Sequence, residues 1–276
     1  MPILHVFGPA FGLVDPSPFI LKAHTLLRMA GIPYSTKPAD FKNAPKGKFP
    51  VLEEDGGQLI PDSTLIRFHI EKKYGFDFDK GCDPDLVAAA WAFEKLCEDH
   101  FYWPIVHDRW MIDENFNKGP ARFFDKAPAL IRPLIIAMVR RKVRRNLTGQ
   151  GNGRYTPEER HAISARGVKA LADYLAHRPF LGGDQPCGSD ASVYATVRSM
   201  LTTFFNSPTC EEAQKYPALA AYAARMDALY FPEGSRVADP RSERNAEQPL
   251  PAAFARVMPS DDRRSRPRAN RPATLS

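Results

Sequence analysis

The stretch Asp15–Gly31, DPSPFILKAHTLLRMAG, decides how the rest of the chain reads. Apolar residues recur at Phe19, Ile20, Ala23, Leu26, Leu27 and Ala30, the spacing of one helical face, with Lys22 and Arg28 off the stripe. Gly31 and Pro33 stop the helix. At its start Ser17 stands directly before Pro18, and this serine reads in two ways. Serine is a preferred N-cap and proline a preferred first helical residue, with Asp15 competing for the cap. Alternatively, the hydroxyl sits among free backbone N–H groups at the positive end of the helix dipole, where a bound thiolate is stabilised. A neutral donor suits that place better than a carboxylate, which would repel the anion.

Working outward, Ile3–Phe7 (ILHVF) is a short apolar run ended by Gly8-Pro9 and reads as a buried strand. YSTKP supplies a second strand, and FPVLEEDGGQLIPDS reads as a hairpin turning at Asp55-Gly56-Gly57. Asp62 or Ser63 then caps a helix from about Thr64 to Tyr74. From Asp83 onward strand signals vanish. Asp83-Pro84 opens a helical stretch to about Asn115, expected to bend at Pro104. Another helix is expected from about Pro128 to Leu147. Thr156-Pro157-Glu158-Glu159 is a capping box whose helix runs to about His177. SDASVYATVRSMLTTFF and YPALAAYAARMDALY are further helices. The fold class is therefore a small α/β unit, βαβ then ββα, followed by an all-α unit. Residues 233–276, rich in Arg, Pro, Ser and Ala, read as a disordered tail.

The chain has 276 residues, 43% hydrophobic and 25% charged, an ordinary balance for a soluble globular protein. No apolar run approaches the ~18 residues of a membrane span, and the N-terminus lacks the features of a secretory signal. The net charge of +6 does not by itself indicate nucleic acid. Cys82, Cys97, Cys187 and Cys210 are scattered without zinc-like spacing, so reduced thiols in a cytoplasmic protein are expected and no metal is assigned. RPLIIAMVRRKVRRNL, Arg132–Leu147, is an amphipathic basic helix. One expectation buries Leu134, Ile135, Met138 and Val139 beneath a solvated basic face. The other brings the helix to an acidic membrane surface or partner.

Several motifs, in order, resemble the glutathione S-transferase superfamily. Ser17-Pro18-Phe19-Ile20 after a strand resembles the Cys-Pro-Tyr-Cys position of a glutaredoxin, with serine for the first cysteine. Gly47-Lys48-Phe49-Pro50-Val51-Leu52 resembles the element whose proline is cis, and Asp62-Ser63 the Glu/Asp-Ser element. Gly182-Gly183-Asp184-Gln185-Pro186 followed by Ser189-Asp190 resembles the helical-domain signature. SPFILKAHTLLRMAGIPY, the short DFKNAPKGKFP link and VRRKVRRNLTGQGNGR resemble the failed-axon-connections/metaxin-like branch.

The resemblance implies a thioredoxin-like glutathione-binding domain over 1–76 and an all-helical C-terminal domain over 83–231. It implies glutathione as co-substrate, with Ser17 donating to its sulfur for attack on a small electrophile or a peroxide. Phe49 beside a cis Pro50 would pair with an extended peptide ligand; an ordinary strand-start proline is the alternative. Ser63 suits a carboxylate and Asp62 an ammonium. The link between Asp40 and Pro50 is too short for the usual second helix, so Lys42, Lys46 or Lys48 is expected to replace its grip, with a weaker or different thiol ligand as the alternative. Tyr102, Arg109 and Trp110 are the expected electrophile contacts, against domain packing as the alternative. Cys187 stands where a threonine cap is usual, leaving the cap to Asp190 or Ser189. A homodimer is the family expectation, and a non-catalytic assembly protein on the same scaffold is the competing function.

Overall fold

A computed structural model describes residues 1–125 and 127–232. The tail expected over 233–276 lies outside the described residues. Strand β1 (Ile3–Val6) is central. It pairs in parallel with β2 (Ser35–Pro38) and antiparallel with β3 (Val51–Glu53), which pairs antiparallel with β4 (Leu59–Pro61). The order β2-β1-β3-β4 puts Leu4 opposite Leu52 and Leu52 opposite Ile60, so alternate side chains build one apolar face. Between Pro38 and Val51 the chain makes only turns and bends, as the short link required.

Helix α1 (Pro18–Met29) begins at the Ser17 cap, and α2 (Ser63–Tyr74) at Asp62. Ile20, Ala23, Leu26 and Leu27 pack with Leu4, Leu52 and Ile66, as the periodicity foretold. Leu21 turns the opposite way into the helical core around α8 (Asp190–Leu201). Helix α1 is thus covered on two sides, and Lys22, although off the apolar stripe, is buried. Its side chain is 1% exposed, and its ammonium meets Glu94 at 2.8 Å, Glu98 at 2.6 Å and Thr64 Oγ1 at 3.1 Å. Arg67 of α2 lies 3.6 Å from the other Glu94 oxygen.

The expected continuous helix after Asp83 is broken into pieces. These are α3 (Pro84–Lys95), a π-helical turn (Leu96–Phe101), α4 (Tyr102–Met111) and α5 (Asp113–Lys118). Pro104 has no N–H to return to the preceding turn, and the wider turn lies directly before it, with Tyr102 N–H reaching Cys97 O. The wider turn takes up one residue, so the helical spacing before it does not continue in register after it. Mid-helix Gly167 lets Phe101 pack close, since a Cβ there would come within 2.8 Å of its ring.

Helices α6 (Arg132–Gln150), α7 (Pro157–Ala176), α9 (Pro208–Gln214) and α10 (Pro217–Tyr230) complete the helical part with α8. The capping box of α7 has both its bonds, Glu159 N to Thr156 Oγ1 and Thr156 N to Glu159 Oε2. Ser189 stands at the N-cap of α8 without a side-chain bond to the helix, and Asp190, the first helical residue, accepts from the loop amides Leu181 N and Cys187 N. The burial expected of α6 is corrected: Val139, Val143 and Leu147 face the core, whereas Leu134 and Met138 are exposed. The i, i+4, i+8 stripe that contacts α4 sits farther along the helix than the apolar N-terminal run.

Replacing Lys22 by Met takes the buried ammonium from Glu94 and Glu98 and is expected to cost about 3 kcal/mol, measured by urea unfolding. Adding Glu94→Gln should recover part of the loss. His24 is buried with Nδ1 2.7 Å from Tyr34 Oη; burial, then the Arg28 charge, lowers its pKa to about 4. The unfolded imidazole titrates near 6.5 and the folded ring refuses the proton until lower pH. Stability is therefore full above that value and falls as pH drops toward 4, by up to about 1.4 kcal/mol per pH unit. The unfolding free energy of wild type relative to His24→Gln should shrink accordingly between neutral pH and pH about 4.5.

Candidate functional site

The elbow between β1 and α1 is shaped by one buried carboxylate. Asp15 Oδ2 accepts from Phe7 N at 2.9 Å and Gly8 N at 3.1 Å, and Oδ1 accepts from Ser17 N at 2.9 Å. Burial raises the Asp15 carboxyl to about 8, against the pull of the Ser17, Phe7 and Gly8 amides. The N-cap belongs to Ser17, whose Oγ accepts from Ile20 N at 3.4 Å. Among the described residues that hydroxyl donates to no partner.

Ser17 opens on a cavity of about 420 Å³ between the α/β part and the helices. Its wall includes Lys48 and Phe49 beside Ser17, and Tyr102, Arg109 and Trp110 from α4. Six of the nine residues expected from the sequence are thus brought together; Pro50, Asp62 and Ser63 lie outside this wall. The Phe49–Pro50 bond is cis. Pro50 C=O accepts from Asp62 N at 3.0 Å, and the Phe49 main chain makes no hydrogen bond to another described residue. Phe49 is held edge-on by Phe41, ring centres 4.8 Å apart.

Asp62 caps α2 at φ +80°, its Oδ1 accepting from Thr64 N, with Ser63 buried as the first helical residue. Its Oδ2 takes a 2.8 Å bond from Lys48 Nζ. Burial pushes the Asp62 carboxyl up, but the Lys48 ammonium and the Thr64 amide outweigh it and leave it below its ordinary value. Lys48 and Asp62 therefore form one unit, not the two independent grips expected.

Arg109 has other partners than an electrophile. Its guanidinium donates to Pro16 O at 2.7 Å and Ser199 O at 3.5 Å and lies over the Phe205 ring at 5.1 Å. Burial lowers its pKa to about 10. It ties α4 to the residue that precedes Ser17. Tyr102 stacks edge-on with Phe19 at 5.0 Å, and Trp110 packs near Phe116 and Phe123. The sequence missed Lys142, Val139 and Val143, which α6 adds to the wall, and Phe123 opposite them. Their signal was the Val139–Val143–Leu147 spacing, masked by the more apolar Leu134–Met138 run. Burial, then the Arg145 charge, lowers the Lys142 pKa.

Comparison with known proteins bears on the fold and the family. The model of the glutathione S-transferase N-terminal domain matches residues 18–115, and that of the C-terminal domain matches 165–226. The isoprene-epoxide–glutathione S-transferase of Rhodococcus sp. (strain AD45) is 29% identical over 205 residues, 71% of this chain and 86% of that one. Failed axon connections of Drosophila melanogaster is 26% identical over 261 residues, 90% of this chain but 62% of that protein's length. The crystal structure of the beta-etherase LigF from Sphingobium sp. strain SYK-6 shares the fold, with a TM-score of 0.57, 19% identity and coverage of 84% and 99%. The chain belongs to the glutathione S-transferase superfamily. Metaxin-2 of Homo sapiens is also similar, 22% identical over 190 residues, 68% of this chain and 72% of that one.

Replacing Arg109 by Met leaves the Pro16 carbonyl without its guanidinium and should cost about 1–3 kcal/mol. Amide exchange of Ser17 and Ile20 should accelerate with it; unchanged exchange would show that Arg109 does not brace the elbow.

Proposed function

We propose that this protein is a glutathione transferase in which Ser17 stabilises the thiolate of glutathione for attack on a small electrophile or a peroxide. One observation carries this: the unspent Ser17 hydroxyl, at the positive end of α1, faces the same cavity as Phe49, whose main chain is unpaired. An extended peptide fits such an edge by strand addition. When bound, glutathione supplies the nucleophilic sulfur. Ser17 donates its O–H toward the anion, and the α1 amides and dipole favour negative charge beside it. Asp15 orients the Ser17 amide. Lys48 and Asp62 together, with Ser63, suit the charged ends of the peptide. Tyr102, Trp110 and Phe123 exclude water from an apolar electrophile, and Arg109 fixes the elbow. A serine forms no mixed disulfide, which disfavours thiol–disulfide exchange.

The likeness to an isoprene-epoxide–glutathione S-transferase supports the reading at the level of the reaction class. A homodimer and a cytoplasmic setting belong to the same proposal. A second function, a binding or assembly protein on this scaffold, is favoured by two observations. These are the turn-only link before Val51 and the likeness to Failed axon connections.

Ser17→Ala should lower turnover of a model epoxide or aryl halide by roughly 10²–10³, with glutathione affinity changed only severalfold, and should raise the apparent thiol pKa in the pH–rate profile. Calorimetry with glutathione, run alongside, separates the two functions: no heat at millimolar ligand would leave the assembly protein.

A further inference from the structure

Helix α6 has two contrasting sides. Its inner side, through Val139, Val143 and Leu147, is core. Its outer side is covered by no described residue, and it is not simply polar. Leu130 is 97% exposed, Ile131 47%, Leu134 67% and Met138 57%. At roughly 100° per residue, Leu134, Met138, Arg141 and Arg145 fall within an arc of about 60°. One stripe is therefore apolar at the start of the helix and cationic toward its end.

The charge along this segment is of one sign. No Asp or Glu occurs from Ala127 to Pro157. Arg132 is paired with Asp125, and Arg140 with Asp113. Arg141, Arg144 and Arg145 make no ion pair among the described residues. An apolar turn that protrudes beside unpaired guanidinium groups matches a surface with phosphates outside and hydrocarbon beneath.

We propose that the outer face of α6 docks on an anionic phospholipid bilayer, with Leu130, Leu134 and Met138 entering the interface and Arg141, Arg144 and Arg145 meeting lipid phosphates. The helix lies along the surface: no described helix is long and apolar enough to cross a membrane. A second copy fits this face poorly, because a two-fold contact sets the patch against itself and opposes its arginines. The docking is separate from the chemistry of Ser17, since the four side chains of the stripe lie outside the cavity wall.

The test is flotation of the full chain with phosphatidylcholine vesicles, with and without about one-third phosphatidylserine, at low and at roughly 0.5 M salt. The wild type should float only with the anionic vesicles and be released by salt. Arg141→Ala/Arg145→Ala should weaken partitioning on the order of thirty-fold, at about fivefold per charge. Leu134→Ser/Met138→Ser, which leaves the charge unchanged, should also weaken it. All four sites are exposed, so thermal melting should match the wild type. Equal flotation of wild type and both variants would place any lipid contact elsewhere in the chain and overturn the proposal. So would a dimer in sedimentation velocity, without lipid, that Leu134→Ser/Met138→Ser dissolves, because the face would then be a self-interface.

Discussion

Lys22 carries its ammonium to the bottom of a seam where Glu94, Glu98 and Thr64 converge, and Ser192 of α8 donates to the same Glu98 carboxylate at 2.9 Å. A buried lysine costs several kcal/mol in lost hydration unless its partners are fixed, so the contact is selective: it forms only when α1, α2, α3 and α8 are all in place. The apolar contacts around it are less demanding of geometry. What the seam provides is a fixed angle between the α/β part and the helices, and the cavity lies along that same boundary, with Glu98 in its wall.

The elbow at Ser17 is held from two directions. Asp15 gathers the Phe7, Gly8 and Ser17 amides from below, and Arg109 takes the Pro16 carbonyl from the helical side. Arg109 brings a cation to the elbow and burial disfavours the charged form of Asp15, whereas Glu98 and Asp99 stand in the same cavity wall. The same positions would serve a purely structural cap.

The α/β part was legible because its signals are local. A four-residue strand, an amphipathic helix and an Asp-Gly-Gly hairpin each declare themselves within ten residues or so. The helix start at Ser17 and the cis bond after Phe49 were legible because both rest on backbone geometry. The partners of long side chains were less so: Lys22 lay off the apolar stripe yet is buried, Arg109 was expected at an electrophile, and Lys48 and Asp62 were read apart. Each of those outcomes is set by an element distant in sequence. The α6 face was misjudged because hydrophobicity marks what favours burial, whereas the helix contacting α4 determines what is buried.

The π turn at Leu96–Phe101 has an architectural result of its own. It takes up one extra residue by widening a single turn, so the helical segments before and after it keep their facing. Wound as an ordinary helix with that residue kept, the following segment would turn by about 100° around its axis, and Tyr102, Arg109 and Trp110 would no longer share the chamber wall. The wide turn, as much as the side chains that follow it, thus determines what the chamber can admit.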